Sequence, residues 1–168
     1  MKKIIFSFKS LLIAAGLLMG SANAWAQETI TSESAGNYYY LYNPDAKLFV
    51  SRGKDVACQA HLDRYGAPLK LQYDSENSKY SFLMGDNDWW LGYDIYCYTD
   101  ATSLVYFTLS GTSTGYQLTN TNNNLFIYNC DGVLAANGST EGETPNATTA
   151  KTTWQFLTQT QRDAIISS

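Results

Sequence analysis

The residues best suited to bind a ligand lie in one short acidic and aromatic stretch near the middle of the chain. Asp86, Asn87 and Asp88 precede two adjacent indoles, Trp89 and Trp90. Because successive side chains of a strand point to opposite faces, we expect one indole in the core and the other on the surface. A surface indole can stack on the C–H groups of a sugar while short carboxylates and amides bond to its hydroxyls. This stretch therefore predicts a carbohydrate-binding site, and burial of both indoles is the structural alternative.

Asp86 and Asp88 also have the residue type that glycoside hydrolysis requires. That reaction needs two carboxyl groups about 5 Å or about 6.5–9.5 Å apart, a separation that residues i and i+2 of a strand can reach. A tight acidic turn between strands would contain the same residues without catalysis, and we expect a domain this short to lack a deep cleft that excludes water. We therefore expect this stretch to bind a sugar rather than cleave it.

The chain offers few residues for other kinds of catalysis or for metal binding. His61 is the only histidine, and although Cys58 lies nearby, no third group that would orient the pair is evident. A single histidine with scattered cysteines falls short of a closed zinc site, and the spacing of an EF-hand calcium loop is absent. We expect His61 to be an exposed loop residue and the protein to be non-enzymatic, without a metal or another cofactor.

The elements that must position these residues begin with a predicted β-hairpin. Tyr38–Asn43 is an aromatic run, Pro44–Lys47 has the residue types of a turn, and Leu48–Ser51 is a second short apolar strand. The same pattern recurs 86 residues later, where Phe126–Leu134 matches Tyr40–Leu48 position for position. If that shift covers two units, the chain is built from repeats of 43 residues.

The repeated hairpin also pairs two sets of polar residues. Asn43 and Asp45 in the first copy correspond to Asn129 and Asp131 in the second. Equivalent hairpin turns need such side chains for local bonds to the backbone, so we expect a turn-forming role for all four. Binding of a sugar by the two aspartates is compatible with that role.

Eleven short strands are predicted, and no stretch between them has the apolar period of a helix. A chain of this kind is an all-β barrel or sandwich. The predicted strands are Tyr38–Asn43, Leu48–Ser51, Pro68–Tyr73, Lys79–Met84, Trp89–Tyr93, Ile95–Thr99, Leu104–Leu109, Gly115–Thr119, Leu125–Asn129, Val133–Ala136 and Thr152–Leu157.

Three motifs resemble those of the ricin-B-like β-trefoil, in particular the trefoil modules in exported proteins of gut-dwelling Gram-negative bacteria. They are the Tyr-Tyr-Leu-Tyr-Asn of Tyr39–Asn43, the Gly-x-Pro-Leu-x-Leu of Gly66–Leu71 and the Thr-Trp-Gln-Phe of Thr153–Phe156. The resemblance covers about residues 36 to 160. It implies three four-stranded units around a pseudo-threefold axis, with six strands closing a barrel and six capping it.

The resemblance also implies site positions. Ricin-B-like sites combine an aspartate in the first hairpin of a unit with a stacking aromatic residue and a nearby amide. Asp45 and Asp131 hold that hairpin position in the first and third units, and Asp94 corresponds to it loosely in the second. The Gln-x-Trp element that closes each unit is not intact, since Thr152–Trp154 retains only the tryptophan. Asp45 and Asp131 thus join Asp88, Asn87 and the two tryptophans as candidate ligand-binding residues.

The beginning of the chain has the pattern of a secretory signal peptide. A basic start at Lys2 and Lys3 is followed by the apolar run Leu11–Met19 and by small residues that end at Ala26. Nine apolar residues are too few to cross about 30 Å of hydrocarbon. We expect cleavage after Ala26 and an exported product that is periplasmic, bound at the cell surface or secreted.

The rest of the chain is expected to form one domain. The β-trefoil should occupy residues 27–160, and residues 161–168 should form a C-terminal tail. Thr158 and Gln161 have the spacing of a capping box, which predicts a short helix that either packs on the barrel or frays.

Charge and composition narrow the possible partners. Outside the signal segment, eight Lys and Arg oppose 15 Asp and Glu, and the chain contains 13 Tyr and 4 Trp. An acidic chain without a basic cluster is a poor ligand for nucleic acid or anionic membranes, and no segment predicts membrane insertion. We expect a glycan or cell-surface polysaccharide as the partner. The alternative is a protein-binding trefoil, such as a protease inhibitor or adhesin, that acts through a protruding loop at Gly53–Pro68 or Gly138–Thr149.

Cys58, Cys97 and Cys130 match no zinc or redox spacing. In an oxidising compartment they permit one disulfide and one free thiol, and Cys97 with Cys130 is one such pairing. The other possibility is no disulfide, with the cysteines packed as small apolar residues.

Overall fold

A computed structural model of the chain describes residues 28–53, 59–85, 89–92, 98–112, 114–122, 125–130, 132–136 and 149–168. These residues form a nearly closed, barrel-like antiparallel sheet with a helix at the C-terminus. The expectation of an all-β fold is therefore confirmed.

The sheet has twelve strands within the described residues. They are β1 (Tyr38–Asn43), β2 (Leu48–Ser51), β3 (His61–Asp63), β4 (Leu69–Asp74), β5 (Lys79–Met84), β6 (Trp90–Gly92), β7 (Tyr98–Ala101), β8 (Phe107–Thr112), β9 (Gly115–Asn120), β10 (Leu125–Cys130), β11 (Val133–Ala136) and β12 (Gln155–Leu157). The helices are a 3₁₀ turn (Ser32–Ser34), α1 (Thr149–Thr152) and α2 (Gln159–Ser167).

Each of the eleven predicted strands has a counterpart among the described strands, and ends that lie within the described residues differ by up to three residues. β3 is the described strand that the sequence pattern did not reveal. The expectation that His61 lies in an exposed loop is wrong, because His61 begins β3 and pairs with Ser51 of β2 and Val133 of β11. Only Leu62 is buried in this three-residue strand, so it has no apolar period of its own. The strand also interrupts the stretch 53–68 that was a candidate protruding loop.

Six of the strands pair in the order of a ring. β1 pairs with β4, β4 with β5, β5 with β8, β8 with β9, and β12 with β1. A bridge between Tyr116 of β9 and Trp154, just before β12, links the remaining neighbours through two backbone hydrogen bonds of 2.8 Å. The other six strands pair as the hairpins β2–β3, β6–β7 and β10–β11.

The main hydrophobic core takes at least one buried side chain from each ring strand. These include Leu41, Leu71, Phe82, Phe107, Leu118 and Phe156. Trp154 is completely buried beside them, and its indole N–H donates to the carbonyl of Ile127 at 3.1 Å. That hydrogen bond satisfies the polar edge of the largest core side chain, as a buried indole requires.

The sequence pattern that recurs after 86 residues corresponds to two similar turns at different positions in the sheet. In both turns the asparagine side chain accepts from the backbone N–H three residues on, Ala46 for Asn43 and Gly132 for Asn129. The turn-forming role predicted for the two asparagines is therefore confirmed. However, the first turn joins β1 to β2, whereas the second joins β10 to β11. Within the described residues β10 pairs with β9 and β11, whereas β1 pairs with β2, β4 and β12. The recurrence thus reflects shared turn chemistry, and it does not superpose equivalent strands.

The C-terminal helix α2 packs on the sheet and does not fray. Tyr40, Phe49 and Leu157 form a second, smaller apolar cluster, which Ile165 and Ile166 of α2 cover. A helix of this length is marginal in isolation, so these contacts are what stabilise it.

The predicted capping box of α2 is confirmed. The Thr158 hydroxyl accepts from the backbone N–H of Gln161 at 3.3 Å, and the Gln161 side chain accepts from the Thr158 N–H at 2.7 Å. The helix begins at Gln159, so the expected boundary between residues 160 and 161 falls inside it.

Several predicted features lie outside the described residues. They include the signal segment 1–26, nearly all of the loop 138–149, and two of the three cysteines, Cys58 and Cys97. In the part of the chain that is described, no helix is both long and apolar enough to cross a bilayer.

Candidate functional site

The two tryptophans of the predicted site occupy different environments. Trp90 begins β6, pairs with Leu83 and Ala101, and packs against the main core. Trp89 precedes the strand, and its carbonyl accepts from the N–H of Met84 at 2.8 Å. Both indoles are partly exposed, so the alternative in which both are buried is wrong.

Arg52 holds one face of the Trp89 indole. The central guanidinium carbon lies 4.3 Å from the centroid of the ring, a distance at which a cation is attracted to an aromatic face. Arg52 follows β2 directly, and the N–H of the next residue, Gly53, donates to the hydroxyl of the buried Thr99 in β7 at 3.1 Å. The Arg52–Trp89 pair, which we call the stacked pair, therefore lies where the β2–β3 and β6–β7 hairpins meet.

Sequence reasoning missed Arg52. A single arginine after a short strand has no distinguishing pattern, and its partner is far along the chain. The contact depends on how two hairpins are brought together. Of the stacked pair, only Trp89 could be predicted as a site residue from the sequence.

The other predicted site residues are not brought together with the stacked pair by any described contact. Asn87, Asp88 and Asp131 lie outside the described residues. Asp45 is exposed in the β1–β2 turn, and within the described ranges no hydrogen bond or ion pair joins it to either tryptophan.

A serine, a histidine and an aspartate do meet elsewhere, between β2 and β3. His61 Nε2 lies 3.4 Å from a carboxylate oxygen of Asp63, and the Ser51 side chain is hydrogen-bonded to the same carboxyl group. Nucleophilic catalysis requires the serine to bond to the histidine, which then takes its proton. Here the serine bonds to the aspartate, so the three residues do not form a nucleophile and base.

The Asp63 carboxylate instead organises a turn. Its Oδ1 accepts from the N–H groups of Tyr65 at 2.8 Å and Gly66 at 2.7 Å. Partial burial raises the pKa of Asp63, but these two amides, the Ser51 side chain and the charge of His61 together lower it below its ordinary value. The charged form of Asp63 is thus favoured by the folded structure.

Three tyrosines lie close together near the β4–β5 hairpin, and the sequence did not predict this cluster. The rings of Tyr73 and Tyr80 lie 5.0 Å apart on paired strands, and the side chain of Tyr106 is hydrogen-bonded to Asp74. That bond, with further contributions from desolvation and the charges of Asp74 and Glu76, raises the pKa of Tyr106. Cross-strand aromatic pairing and a turn-forming aspartate account for this group structurally.

Comparisons with known proteins add no family to this picture. Neither a protein-family model nor a curated protein matches the chain. Among the described residues, no group of three or more histidine, cysteine, aspartate or glutamate side chains could hold a metal ion. The stacked pair is therefore the arrangement from which a function is best argued.

Proposed function

We propose that this protein is an exported, non-enzymatic β-trefoil module that binds carbohydrate through the stacked pair. The observation that carries the proposal is the partly exposed Trp89 indole, which the Arg52 guanidinium holds at 4.3 Å. The partner would be a glycan or a cell-surface polysaccharide.

The strand order supports the trefoil part of the proposal. A β-trefoil needs six strands that close a barrel and three hairpins that cap it, as the resemblance to ricin-B-like modules implies. The number and pairing of the described strands support this, since β1, β4, β5, β8, β9 and β12 pair in the order of a ring and the other six form the hairpins β2–β3, β6–β7 and β10–β11.

Matching side chains at corresponding strands support it further. In the proposed trefoil β1, β5 and β9 each begin one unit, and each carries an aromatic residue followed two positions later by a buried apolar one. The corresponding sets are Tyr39, Tyr80 and Tyr116, then Leu41, Phe82 and Leu118, and in the next strand of each unit Val50, Leu91 and Ile127. The proposed repeat therefore follows the pairing of the strands, and it replaces the 43-residue repeat inferred from the similarity of Tyr40–Leu48 to Phe126–Leu134.

The chemistry of the stacked pair suits a sugar. An indole whose position is fixed by a cation loses little freedom when a sugar ring stacks on it, which favours binding. The guanidinium N–H groups beside it can donate to ring hydroxyls. Asp88 and Asn87, which adjoin Trp89 in sequence, remain candidates for further hydrogen bonds to the sugar.

A glycan array tests the proposal with four proteins. Wild type should bind a defined set of glycans, and Trp89→Ala should lose that binding while its thermal midpoint stays close to that of wild type. Trp90→Ala should also weaken binding but should lower the midpoint, because Trp90 packs against the core. Tyr65→Ala removes an exposed aromatic residue that lies outside the pair and is the matched control.

Glycan binding by the Trp89→Ala variant decides whether the stacked pair is the binding site. If Trp89→Ala binds the same glycans as wild type with equal strength, the site is not the stacked pair. Turnover of any bound polysaccharide by the purified protein would contradict the non-enzymatic assignment.

A further inference from the structure

Two of the three arginines in the chain have a structural task. Arg64 donates to the carbonyl of Ile166 in α2 at 3.2 Å. Arg162 of α2 donates in the opposite direction, to the carbonyl of Tyr65 at 2.6 Å. Both residues also lie over tyrosine rings. These arginines therefore dock the C-terminal helix, and each guanidinium donates to a backbone carbonyl.

Arg52 differs from them. Within the described ranges its guanidinium has no hydrogen bond or ion pair, although the residue is partly buried and one face is stacked on Trp89. A guanidinium carries five N–H donors in a planar fork, and stacking leaves the donors at the edge of that plane available. Partly removing a charged group from water without giving it a hydrogen bond or an ion pair costs free energy, which a bound anion would recover.

We propose that the stacked pair recognises a sugar that carries an oxyanion, either a carboxylate or a sulfate. The sugar packs against the part of the Trp89 indole that Arg52 leaves uncovered, and the outer edge of the Arg52 fork donates two parallel hydrogen bonds to the oxyanion. Fork-to-fork geometry is the arrangement in which arginine binds a carboxylate most strongly. This specificity rests on the proposed function, because it names the class of glycan that the same site takes.

The charge of the chain limits how many anionic groups the ligand can carry. Outside the expected signal segment, eight Lys and Arg oppose 15 Asp and Glu, so a long polyanion is repelled by the protein as a whole. Salt screens charges beyond about 8 Å at physiological ionic strength, so one oxyanion beside Arg52 feels mainly its local surroundings. The ligand is therefore an otherwise neutral glycan with a single acidic sugar.

The test uses an array of matched oligosaccharides that differ at one sugar, which is a neutral hexose, the corresponding uronic acid or the sulfated hexose. Affinities of the matched members are then measured by titration calorimetry at fixed salt. Wild type should bind one acidic form roughly tenfold to a hundredfold more tightly than its neutral counterpart, the range expected for hydrogen bonds to a charged group.

Two substitutions at Arg52 and one control identify the cause. Arg52→Met should remove the preference for the acidic form. It should weaken binding of the neutral form to a smaller extent, because the guanidinium also fixes the Trp89 indole. Arg52→Lys should retain only part of the preference, because an ammonium group lacks the planar fork. Arg64→Met removes the same charge from another arginine stacked on an aromatic ring and should leave the preference intact.

Each outcome separates the two proposals. A preference for the uronic acid or for the sulfated form that Arg52→Met abolishes supports the inference and identifies the oxyanion. Equal binding of neutral and acidic forms, or a preference that survives in Arg52→Met, overturns the anionic specificity and leaves the proposed function standing. No binding anywhere on the array overturns the proposed function and this inference with it. If Arg52→Met lowers the thermal midpoint sharply, Arg52→Lys is compared with wild type instead. A preference for the acidic form that is equal in these two proteins overturns the role of the Arg52 fork.

Discussion

The buried side-chain amide of Asn43 donates to the backbone carbonyl of Thr153 at 3.1 Å, although the two residues are separated by most of the domain. The same amide donates to the carbonyl of Lys151 at 3.3 Å, and its oxygen accepts from the N–H of Ala46 at 2.8 Å. One side chain thus closes the β1–β2 turn and holds the segment that leads into β12.

Asn43→Ala should therefore destabilise the domain by about 2–4 kcal/mol, since it removes three hydrogen bonds that a completely buried side chain makes. Urea denaturation followed by fluorescence measures the change. Asn77→Ala is the matched control, because Asn77 is exposed and bonds within its own turn. A loss at position 43 no larger than at position 77 would show that the long-range bonds contribute little.

Gly92 of β6 should tolerate a side chain poorly. Its φ is +125°, and a Cβ atom there would lie 2.6 Å from a methyl carbon of Val105. Gly132 also has a positive φ, +95°, but open space around it. We expect Gly132→Ala to cost about 1–2 kcal/mol for its backbone conformation alone, and Gly92→Ala about 2–5 kcal/mol because overpacking adds to that strain. Equal losses in thermal denaturation would contradict the close packing of β6 on Val105.

The Asp63 turn should make stability depend on pH in the acid range. Because folding lowers the pKa of Asp63, its stabilisation is complete above the ordinary pKa of about 3.9 and is lost as the pH falls through the lower pKa of the folded state. The effect should be modest, since a third of the side chain is exposed.

Asp63→Asn tests this, because an amide oxygen can still accept from Tyr65 and Gly66 while the charge is absent. The free energy of unfolding should fall less for the variant than for wild type between pH 5 and pH 2, as measured by urea denaturation at each pH. Parallel curves for the two proteins would mean that other carboxylates cause the acid dependence.

The capping box of α2 predicts a difference between two identical substitutions. Thr158→Ala removes the hydroxyl that accepts from the Gln161 N–H and should cost about 1 kcal/mol. Thr160→Ala changes an exposed residue inside the same helix and should be neutral or slightly stabilising, because alanine is the better helix former. Hydrogen exchange in α2 reports both changes, and equal protection in the two variants would contradict the capping role.

Local patterns in the sequence were sufficient for much of the fold. Alternation and turn residues located eleven strands, and the spacing of Thr158 and Gln161 located the start of α2. These signals depend on residues close together in the chain. β3 was missed because Leu62 is its only buried residue, so it has no alternation, and pairing with β2 and β11 is what makes it a strand.

The pattern that recurs after 86 residues shows how local chemistry can mislead. Asn43 and Asn129 are alike because each closes a turn, and turn closure does not require equivalent places in the sheet. For the candidate site, the sequence identified Trp89 as one of two adjacent indoles beside short acidic and amide side chains. It could not identify Arg52, because their contact is created by the meeting of two hairpins.

The pairing of β12 with β1 also has a kinetic consequence. Tyr40 pairs with Leu157, so the ring of strands closes only after almost the whole domain is available. Pairing such remote segments costs loop-closure entropy before any stabilising contact forms between them. Domains rich in such pairings fold in milliseconds to seconds. A chain that is still emerging from the ribosome cannot complete this barrel. Until the last strand arrives, the first strand keeps an unpaired edge, which leaves the incomplete chain open to aggregation or to capture by a chaperone.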